Sequence, residues 1–318
     1  MQKGSKNIEQ FHNQERVTMM ITYKIKLHIE SGFITPFQAD MIFGHMCWAV
    51  AHRNGDSALK EFLEPFKKKQ PPFILSDGFP EDLLPKPLTA DFNASESDLK
   101  KIKKLNMVSF EDFERIRRGE KFNPTEQKDI SKTVTTPHNT ISRITNTTPP
   151  EGGVYSLEEI FVSSVTIYLK TNSVEWKNRV LELLEDVSQA GYGRKKSIGK
   201  GQFSIKDVEE FEFPSINNPD GFVTLSNFCP TEDDPKEGFY KTFVKYGKLG
   251  EEFTFTGNPF KKPIIMIKAG SVFKTDGSPN YFYGHMVRDI SPAKPEVVHY
   301  AYAFAAPIYY KNAIFSLQ

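Results

Sequence analysis

The order of strand-like and helix-like segments predicts an α+β protein with two ferredoxin-like (RRM-like) units, the second β-rich and degenerate. Three observations predict this fold. The first two-thirds of the 318 residues follow the order β-α-β-β-α-β, a long insertion separates the second and third strands, and helical patterns become scarce after residue 217. We expect a flexible tail over residues 1–18, a first domain over 19–213 and a second domain over 214–318.

The first half of the motif is a strand followed by a helix and a second, short strand. Residues 21–29 alternate between apolar and polar side chains, which predicts an amphipathic strand. Thr35-Pro36-Phe37-Gln38 is typical of a helix start, with Thr35 as N-cap and Pro36 in the first turn. Apolar spacing continues this helix to about Arg53, and residues 71–76 predict the short strand.

The second half of the motif contains a strand, a helix and a strand. Residues 160–170 are rich in β-branched side chains, residues 174–189 carry apolar side chains at helical spacing, and residues 202–208 alternate. Strands of the second domain are predicted at residues 222–228, 239–248, 263–268, 271–274 and 297–304.

The insertion between the second and third strands has two unusual stretches. Residues 132–155 are rich in hydroxyl groups and nearly free of acids, and they contain the turn signal Pro149-Pro150-Glu151-Gly152-Gly153. We interpret them as a projecting β-hairpin that orders against a partner, with an ordinary exposed hairpin as the alternative. Residues 95–120 mix cations with acids, which favours a solvated helix face over an RNA-binding patch.

A glycine-rich loop, residues 191–201, is the most informative feature of the chain. Its eleven residues contain four glycines, four cations and no acid, in a protein whose net charge is +1. Backbone amides in such turns form anion-binding concavities, and the cations add attraction for phosphates. The loop joins a helix to a strand and lacks the spacing of dinucleotide-binding and Walker A loops. A nucleic acid is therefore the expected ligand, and a solvated turn is the alternative.

The candidate RNA-binding residues lie in this loop and in the predicted hairpin. The loop candidates are Gly191, Gly193, Arg194, Lys195, Lys196, Ser197, Gly199 and Lys200. His138, Asn139 and Arg143 of the hairpin offer imidazole, amide and guanidinium groups that suit RNA, although hydrogen bonds within the hairpin are the alternative. Tyr192 is suited either to base stacking or to an inward-facing anchor.

The overall composition excludes several other functions. Cys47 and Cys229 are far apart and have no metal-ligand spacing, so we expect buried thiols in a reducing cytoplasm. No signal peptide or membrane-spanning apolar run is present in the sequence. Paired carboxylates, a metal cluster and a nucleophile elbow are also missing from the pattern, so we expect no metal and no cofactor.

The glycine-rich loop between the second helix and the fourth strand resembles the signature of the RAMP superfamily of CRISPR proteins. Two further segments, residues 28–49 and 137–143, narrow the resemblance. Together they resemble the subunits that cap the 5′ end of the guide RNA in type III-A (Csm) effector complexes. The resemblance spans roughly residues 20–310.

The resemblance implies an RNA-binding subunit without catalytic activity of its own, acting in antiviral defence. Such a subunit holds the 5′ tag of the guide RNA and contacts a large polymerase/cyclase-like subunit and the adjacent backbone RAMP subunit. The hairpin near residues 132–155 would act as a thumb beside the guide–target RNA duplex. One departure is that the second domain has no clear glycine-rich loop, which leaves its contact with RNA open.

His45 allows a different interpretation. Some RAMP proteins cleave precursor CRISPR RNA without a metal and use a histidine as general acid and base, so a processing endoribonuclease with His45 is the alternative. We expect instead that His45 bonds to a neighbour or contacts RNA, because Asp40 lies on another part of the helix surface. A protein-interaction scaffold is a third hypothesis. His285, Arg288 and His299 receive no role from the sequence.

Overall fold

The computed structural model describes residues 19–89, 102, 104–120, 130–250, 253–254 and 257–310. The tail predicted over residues 1–18 lies outside these described residues. The helices are α1 (Ala39–Lys67), α2 (Phe110–Arg117) and α3 (Val174–Ala190). The strands are β1 (Ile21–Ile29), β2 (Phe73–Leu75), β3 (Phe79–Pro80), β4 (Leu84–Pro85), β5 (Met107–Val108), β6 (Lys132–Asn139), β7 (Val154–Phe161), β8 (Ser164–Thr171), β9 (Phe203–Glu210), β10 (Gly221–Thr224), β11 (Gly238–Phe239), β12 (Thr242–Lys245), β13 (Ile264–Ile267), β14 (Val272–Lys274), β15 (Phe282–Val287) and β16 (His299–Ile308).

The first sheet has the order β2-β8-β1-β9, and β3 also pairs with β8. The neighbours β1 and β8, β1 and β9, and β2 and β8 are all antiparallel. Helix α1 follows β1 and helix α3 follows β8, and the two helices pack against each other. This is the strand order of a ferredoxin-like unit, and the predicted α+β fold class is confirmed.

Helix α1 starts later and ends later than the sequence predicts. Its first residue is Ala39, and Gln38 occupies the N-cap without a side-chain cap bond. Asp77, from the loop after β2, instead accepts a hydrogen bond from the Ala39 backbone N–H at 2.8 Å. The helix is interrupted at Gly55, whose φ of 82° and ψ of 177° are not helical, and then continues to Lys67.

The insertion between β2 and β8 contains the expected hairpin. Strands β6 and β7 pair along their whole length, from Lys132 opposite Phe161 to Asn139 opposite Val154. The single strand predicted over residues 160–170 is divided, because β7 ends at Phe161 and β8 begins at Ser164. The hairpin therefore leads directly into the central strand pair of the first sheet.

The charged stretch at residues 95–120 differs from the expected solvated helix face. Within its described part, α2 carries Arg117, whose side chain is 1% exposed and pairs with Glu114. Arg117 Nε also donates to the Pro307 carbonyl at 2.7 Å, so this cation ties α2 to the end of β16. Arg117 faces the interior because its charge is compensated there.

The second sheet has the order β11-β14-β10-β16-β15, and a separate two-stranded ribbon consists of β12 and β13. No helix longer than one turn occurs in the described residues after α3, which matches the predicted β-rich, degenerate unit. Strand β15 was not predicted, because Gly284 interrupts its apolar pattern. None of the described helices combines the length and apolar character needed to cross a membrane.

A continuous hydrophobic core joins the two sheets. Phe43 and Phe66 of α1 lie 4.6 and 6.2 Å from the ring of Tyr300 on β16. Buried hydroxyl groups add specific links, since Tyr302 donates to the Phe66 carbonyl at 2.6 Å and Tyr300 accepts from the Leu75 N–H at 3.0 Å. The N-terminal half of α1 and the loop after α3 are thereby held on a rigid base.

Candidate nucleic-acid interface

The glycine-rich loop is anchored to the protein by Tyr192. Its side chain is 1% exposed, its ring stacks on Phe37 at 4.2 Å, and its hydroxyl donates to the Pro36 carbonyl at 2.9 Å. Burial raises the pKa of Tyr192 well above its usual value, so the hydroxyl stays a donor. Of the two roles that the sequence left open, the structure shows the inward-facing anchor.

Backbone hydrogen bonds fix the first part of the loop on the start of α1. The Gly193 N–H donates to His45 Nε2 at 3.0 Å, and the Arg194 N–H donates to Thr35 Oγ1 at 3.1 Å. At the other end, the Gly201 N–H donates to the Gly32 carbonyl at 3.1 Å. Residues 194–200 are therefore presented outward between two fixed ends.

The close approach of the loop to its base explains two of its glycines. A Cβ atom on Gly193, where φ is 74°, would lie 2.7 Å from the Thr35 Cβ. A Cβ atom on Gly201, where φ is 69°, would lie 2.1 Å from the Tyr192 carbonyl oxygen. Gly191 and Gly199 also have positive φ values, of 81° and 80°. A side chain at Gly193 or Gly201 would displace the loop from α1 and β1.

The four cations of the loop have different environments. Arg194 is exposed, and Lys196 is half-buried at the start of a short helical turn that also contains Ser197. Lys195 adopts a left-handed backbone with φ of 65°, and its Nζ lies 3.3 Å from the Tyr155 hydroxyl. Lys200 pairs with Glu159 at 2.6 Å, and the Glu159 side chain is only 4% exposed. Lys200 therefore neutralises a buried carboxylate of β7, whereas Arg194 faces solvent.

The hairpin candidates lie on the same side of the molecule as the loop. The His138 ring stacks on Tyr155 at 5.6 Å, so His138, Tyr155 and Lys195 form a connected group. Asn139 Nδ2 donates to Thr148 Oγ1 at 3.3 Å, a bond within the hairpin of the kind that the sequence left as an alternative. Arg143 is exposed at the hairpin tip beside Ile144, which is 94% exposed.

An open cleft of about 590 Å³ separates the loop from the base of the hairpin. Its walls carry hydroxyl groups from Thr133, Thr135 and Ser156, a carboxylate from Glu158 and the Arg194 side chain. Hydroxyl and carboxylate groups can accept and donate hydrogen bonds to base edges and ribose hydroxyls, and Arg194 can pair with a phosphate. The cleft thus combines the groups that single-stranded RNA recognition requires.

His45 and Asp40 do not form an acid–base pair. His45 Nε2 is occupied by the Gly193 N–H, and the Asp40 carboxylate is buried and paired with Lys245 on β12. His299 Nε2 lies 3.4 Å from Asp40 Oδ2, and burial lowers the pKa of His299 to about 4. No group of three or more His, Cys, Asp or Glu side chains in the described part of the chain is arranged to hold a metal ion.

The residues left without a role by the sequence make structural contacts. His285 Nδ1 lies 3.2 Å from the Cys229 carbonyl, and Arg288 Nη2 donates to the Lys67 carbonyl at 2.8 Å. Both cysteines are free thiols, and burial raises the pKa of Cys47 and of Cys229 to about 12. Neither thiol is therefore activated for chemistry.

Sequence reasoning missed three residues that position the loop. Thr35, Tyr155 and Glu159 bond to loop residues from about 40 to 160 positions away, so no local pattern identifies them. Tyr155 and Glu159 lie at the edge of the hydroxyl-rich hairpin, and an aromatic and an acid there were the available signals.

The fold is similar to that of several solved structures. A chain in the crystal structure of the Csm1–Csm4 cassette in complex with pppApA is 20% identical, with a TM-score of 0.58 over 91% of this chain and 98% of that chain. A chain in the crystal structure of the Csm3–Csm4 subcomplex of the type III-A CRISPR-Cas interference complex is 16% identical, with a TM-score of 0.63 over 91% and 99%. At these identities the similarity establishes a shared fold.

The sequence itself gives the family. No curated protein shows significant similarity to the chain. The profile described as the RAMP superfamily matches residues 26–204, which include β1, α1, the hairpin, α3 and the glycine-rich loop. Because this match covers more than half of the 318 residues, the chain belongs to the RAMP superfamily.

Proposed function

We propose that this protein is a non-catalytic, RNA-binding subunit of a type III-A CRISPR effector complex, where it holds the 5′ tag of the guide RNA. The fold shared with chains of the Csm1–Csm4 and Csm3–Csm4 structures supports a place in such a complex. The observation that carries the RNA-binding role is the loop itself, which presents Arg194, Lys195 and Lys196 outward from ends fixed by Tyr192, His45 and Gly32.

RNA phosphates would bind along the loop. Arg194 and Lys196 are accessible at the loop surface, and the Ser197 hydroxyl and the amides near Gly199 add short-range donors. Lys200, Gly191 and Gly193 contribute through the shape of the loop, because Lys200 is engaged by Glu159 and the two glycines lie at its anchored start. Bases would enter the cleft beside Thr133, Thr135 and Ser156.

The hairpin would reach the guide–target duplex. Its tip carries exposed Arg143, Ile141 and Ile144, and an exposed apolar and cationic tip suits insertion beside a base pair. His138 and Asn139, near the end of β6, would contact the RNA closer to the loop. The domain division at residues 19–213 and 214–318 and the thumb near residues 132–155 belong to this proposal.

The partners would be a large polymerase/cyclase-like subunit, by analogy with Csm1, and a backbone RAMP subunit, by analogy with Csm3. Assembly on guide RNA in antiviral defence implies a cytoplasmic location. The absence of catalysis is supported by His45, whose Nε2 accepts a backbone hydrogen bond and is not directed at a substrate.

Two measurements test the proposal. Copurification from the native cell should recover the chain with a CRISPR guide RNA and with two kinds of Csm subunit. Incubation of the isolated chain with repeat-containing RNA in EDTA should give binding, with log affinity falling as log salt rises, and no cleavage. Cleavage abolished by His45→Ala would establish the endoribonuclease instead, and salt-insensitive binding would favour a protein scaffold.

A further inference from the structure

The β12–β13 ribbon of the second sheet region has an unusual outer face. Its inner face carries Phe243 and Met266, which pack on the small apolar cluster around Cys229 and Ala301. On the outer face, Val244 and Ile265 are paired across the strands and are 46% and 69% exposed. A two-stranded ribbon with apolar side chains on its solvent side indicates a binding surface.

The same face continues beyond the paired strands with aromatic rings. Tyr246 follows Val244 at a spacing of two residues and is 79% exposed. Lys248 then forms a bridge with Phe260, which is 62% exposed, and the Lys248 Nζ lies 5.8 Å from the Phe260 ring centroid. Tyr246 and Phe260 therefore present two aromatic rings along one strip, with a cation beside one of them.

The surroundings of this strip are strongly positive. Residues 240–250 and 257–268 contain six lysines and no acid, and Glu251 and Glu252 between them lie outside the described residues. Lys245 and Lys261 face inward, whereas four lysines are exposed around the strip, namely Lys241, Lys248, Lys262 and Lys268. The charge selects an anionic ligand.

The strip is connected to the glycine-rich loop through the start of α1. Lys245 on the inner face of β12 donates to Gln38 Oε1 at 2.9 Å, two residues from Pro36. The Pro36 carbonyl accepts the hydroxyl of Tyr192, which anchors the loop. The ribbon and the loop are thus held on opposite sides of one short segment, so a single RNA strand can contact both.

We propose that the outer face of the β12–β13 ribbon is a second binding surface for single-stranded RNA. Tyr246 and Phe260 stack on bases, Val244 and Ile265 support them with apolar contacts, and the exposed lysines contact phosphates. A protein partner fits less well, because lysine is depleted from the centres of protein interfaces and Lys248 lies within this strip. The inference rests on the proposed function, and it gives the second unit an RNA-binding role without a glycine-rich loop.

The test uses the full chain and a fluorescein-labelled single-stranded RNA of about 20 nucleotides, a length that exceeds one binding module. Tyr246→Ala combined with Phe260→Ala should weaken binding by about tenfold or more, because each lost stacking contact has this effect. The matched variant Tyr246→Phe with Phe260→Tyr keeps both rings and should bind like the wild type. Circular dichroism of each variant verifies that the fold is retained.

Lysine variants test the charged part of the surface. Lys248→Ala with Lys262→Ala should reduce affinity and lower the slope of log affinity against log salt by about two, one for each lost phosphate contact. Lys60→Ala with Lys206→Ala, two exposed lysines elsewhere on the protein, should change neither quantity. An unchanged salt slope in the first pair would contradict phosphate contacts on the ribbon.

The outcome for the loop separates this inference from the proposed function. If Lys195→Ala with Lys196→Ala weakens RNA binding and the ring-free ribbon variant does not, the ribbon proposal is wrong and the proposed function stands. If neither variant weakens binding, both are wrong. A ring-free variant that binds RNA normally but no longer joins the Csm subunits would assign the surface to a protein partner and overturn the inference.

Discussion

The Nε2 atom of His45 accepts a hydrogen bond from the backbone N–H of Gly193 at 3.0 Å. This bond joins the buried half of α1 to the first turn of the glycine-rich loop. The ring also lies 5.0 Å from the ring of Tyr192, so His45 contacts two consecutive loop residues. The residue that could have marked a nuclease active site therefore acts as a support for an RNA-binding loop.

Replacement of this support should loosen the loop. His45→Ala leaves the Gly193 N–H without its acceptor, and we expect a loss of about 1 kcal/mol in the free energy of unfolding, measured with urea. RNA affinity should fall moderately because the cations are no longer held in place. An RNA-cleavage assay in EDTA provides the control, and product formed by the wild type but not by His45→Ala would contradict the supporting role.

The exposed cations of the loop should carry affinity for RNA and not stability. Lys195→Ala with Lys196→Ala should weaken binding of guide RNA by about 1–3 kcal/mol and lower the salt slope, as expected for lost phosphate contacts. The two lysines of the control pair, Lys60 and Lys206, preserve the same net charge change when replaced by alanine. Wild-type binding by the loop variant would show that the loop does not grip RNA.

Lys200 should behave in the opposite way. Lys200→Ala leaves the carboxylate of Glu159 buried without a cation, and we expect a loss of about 1–3 kcal/mol of stability, below the range for fully buried pairs because Lys200 is 25% exposed. Urea denaturation of Lys200→Ala and of the double variant with Glu159→Gln measures this effect. The double variant should recover part of the loss, and equal stability of Lys200→Ala and wild type would refute the pairing.

The hairpin tip should be dispensable for folding. Among the described residues, the core side chains that pack the two sheets include none from 139–152. Replacing these residues with a short glycine linker should leave the circular dichroism spectrum and the melting temperature close to those of the wild type, while assembly with guide RNA and Csm partners is impaired. Insoluble or unfolded protein would show that this segment belongs to the core.

Local patterns predicted the elements whose contacts are local. Strand β1, helix α3 and strand β9 match the sequence predictions because each shows a full period of alternating or helical apolar spacing. The start of α1 was wrong, since the group that caps Ala39 is Asp77, which is 38 residues away. Strand β15 was missed because Gly284 breaks its alternation, although the strand pairs fully with β16.

The candidate site shows the same division. The glycines and cations of the loop are visible in the sequence, and the structure brings them together with His138 through Tyr155. The sequence could not distinguish Lys200 from Lys196, because the difference is set by Glu159, which lies 41 residues away. Which cation faces a ligand is decided by the tertiary structure.

The buried pair of His299 and Asp40 predicts a specific dependence of stability on pH. Burial lowers the pKa of His299 from 6.5 to about 4, so the folded state holds the imidazole neutral while the unfolded state binds a proton below pH 6.5. This contribution to stability is fully present above pH 6.5 and is lost as the pH falls toward 4. The maximum effect is about 3 kcal/mol from the size of the shift.

Asp77 opposes this trend and determines how the measurement must be made. Burial raises the pKa of Asp77 to about 7, so its contribution is lost as the pH rises from 4 toward 7, in the same window. The total stability can therefore appear flat, and the informative quantity is the difference between wild type and His299→Asn. We expect wild type to lose stability relative to His299→Asn as the pH falls from 6.5 to 4 in urea titrations. A difference independent of pH would show that His299 does not remain neutral in the folded protein.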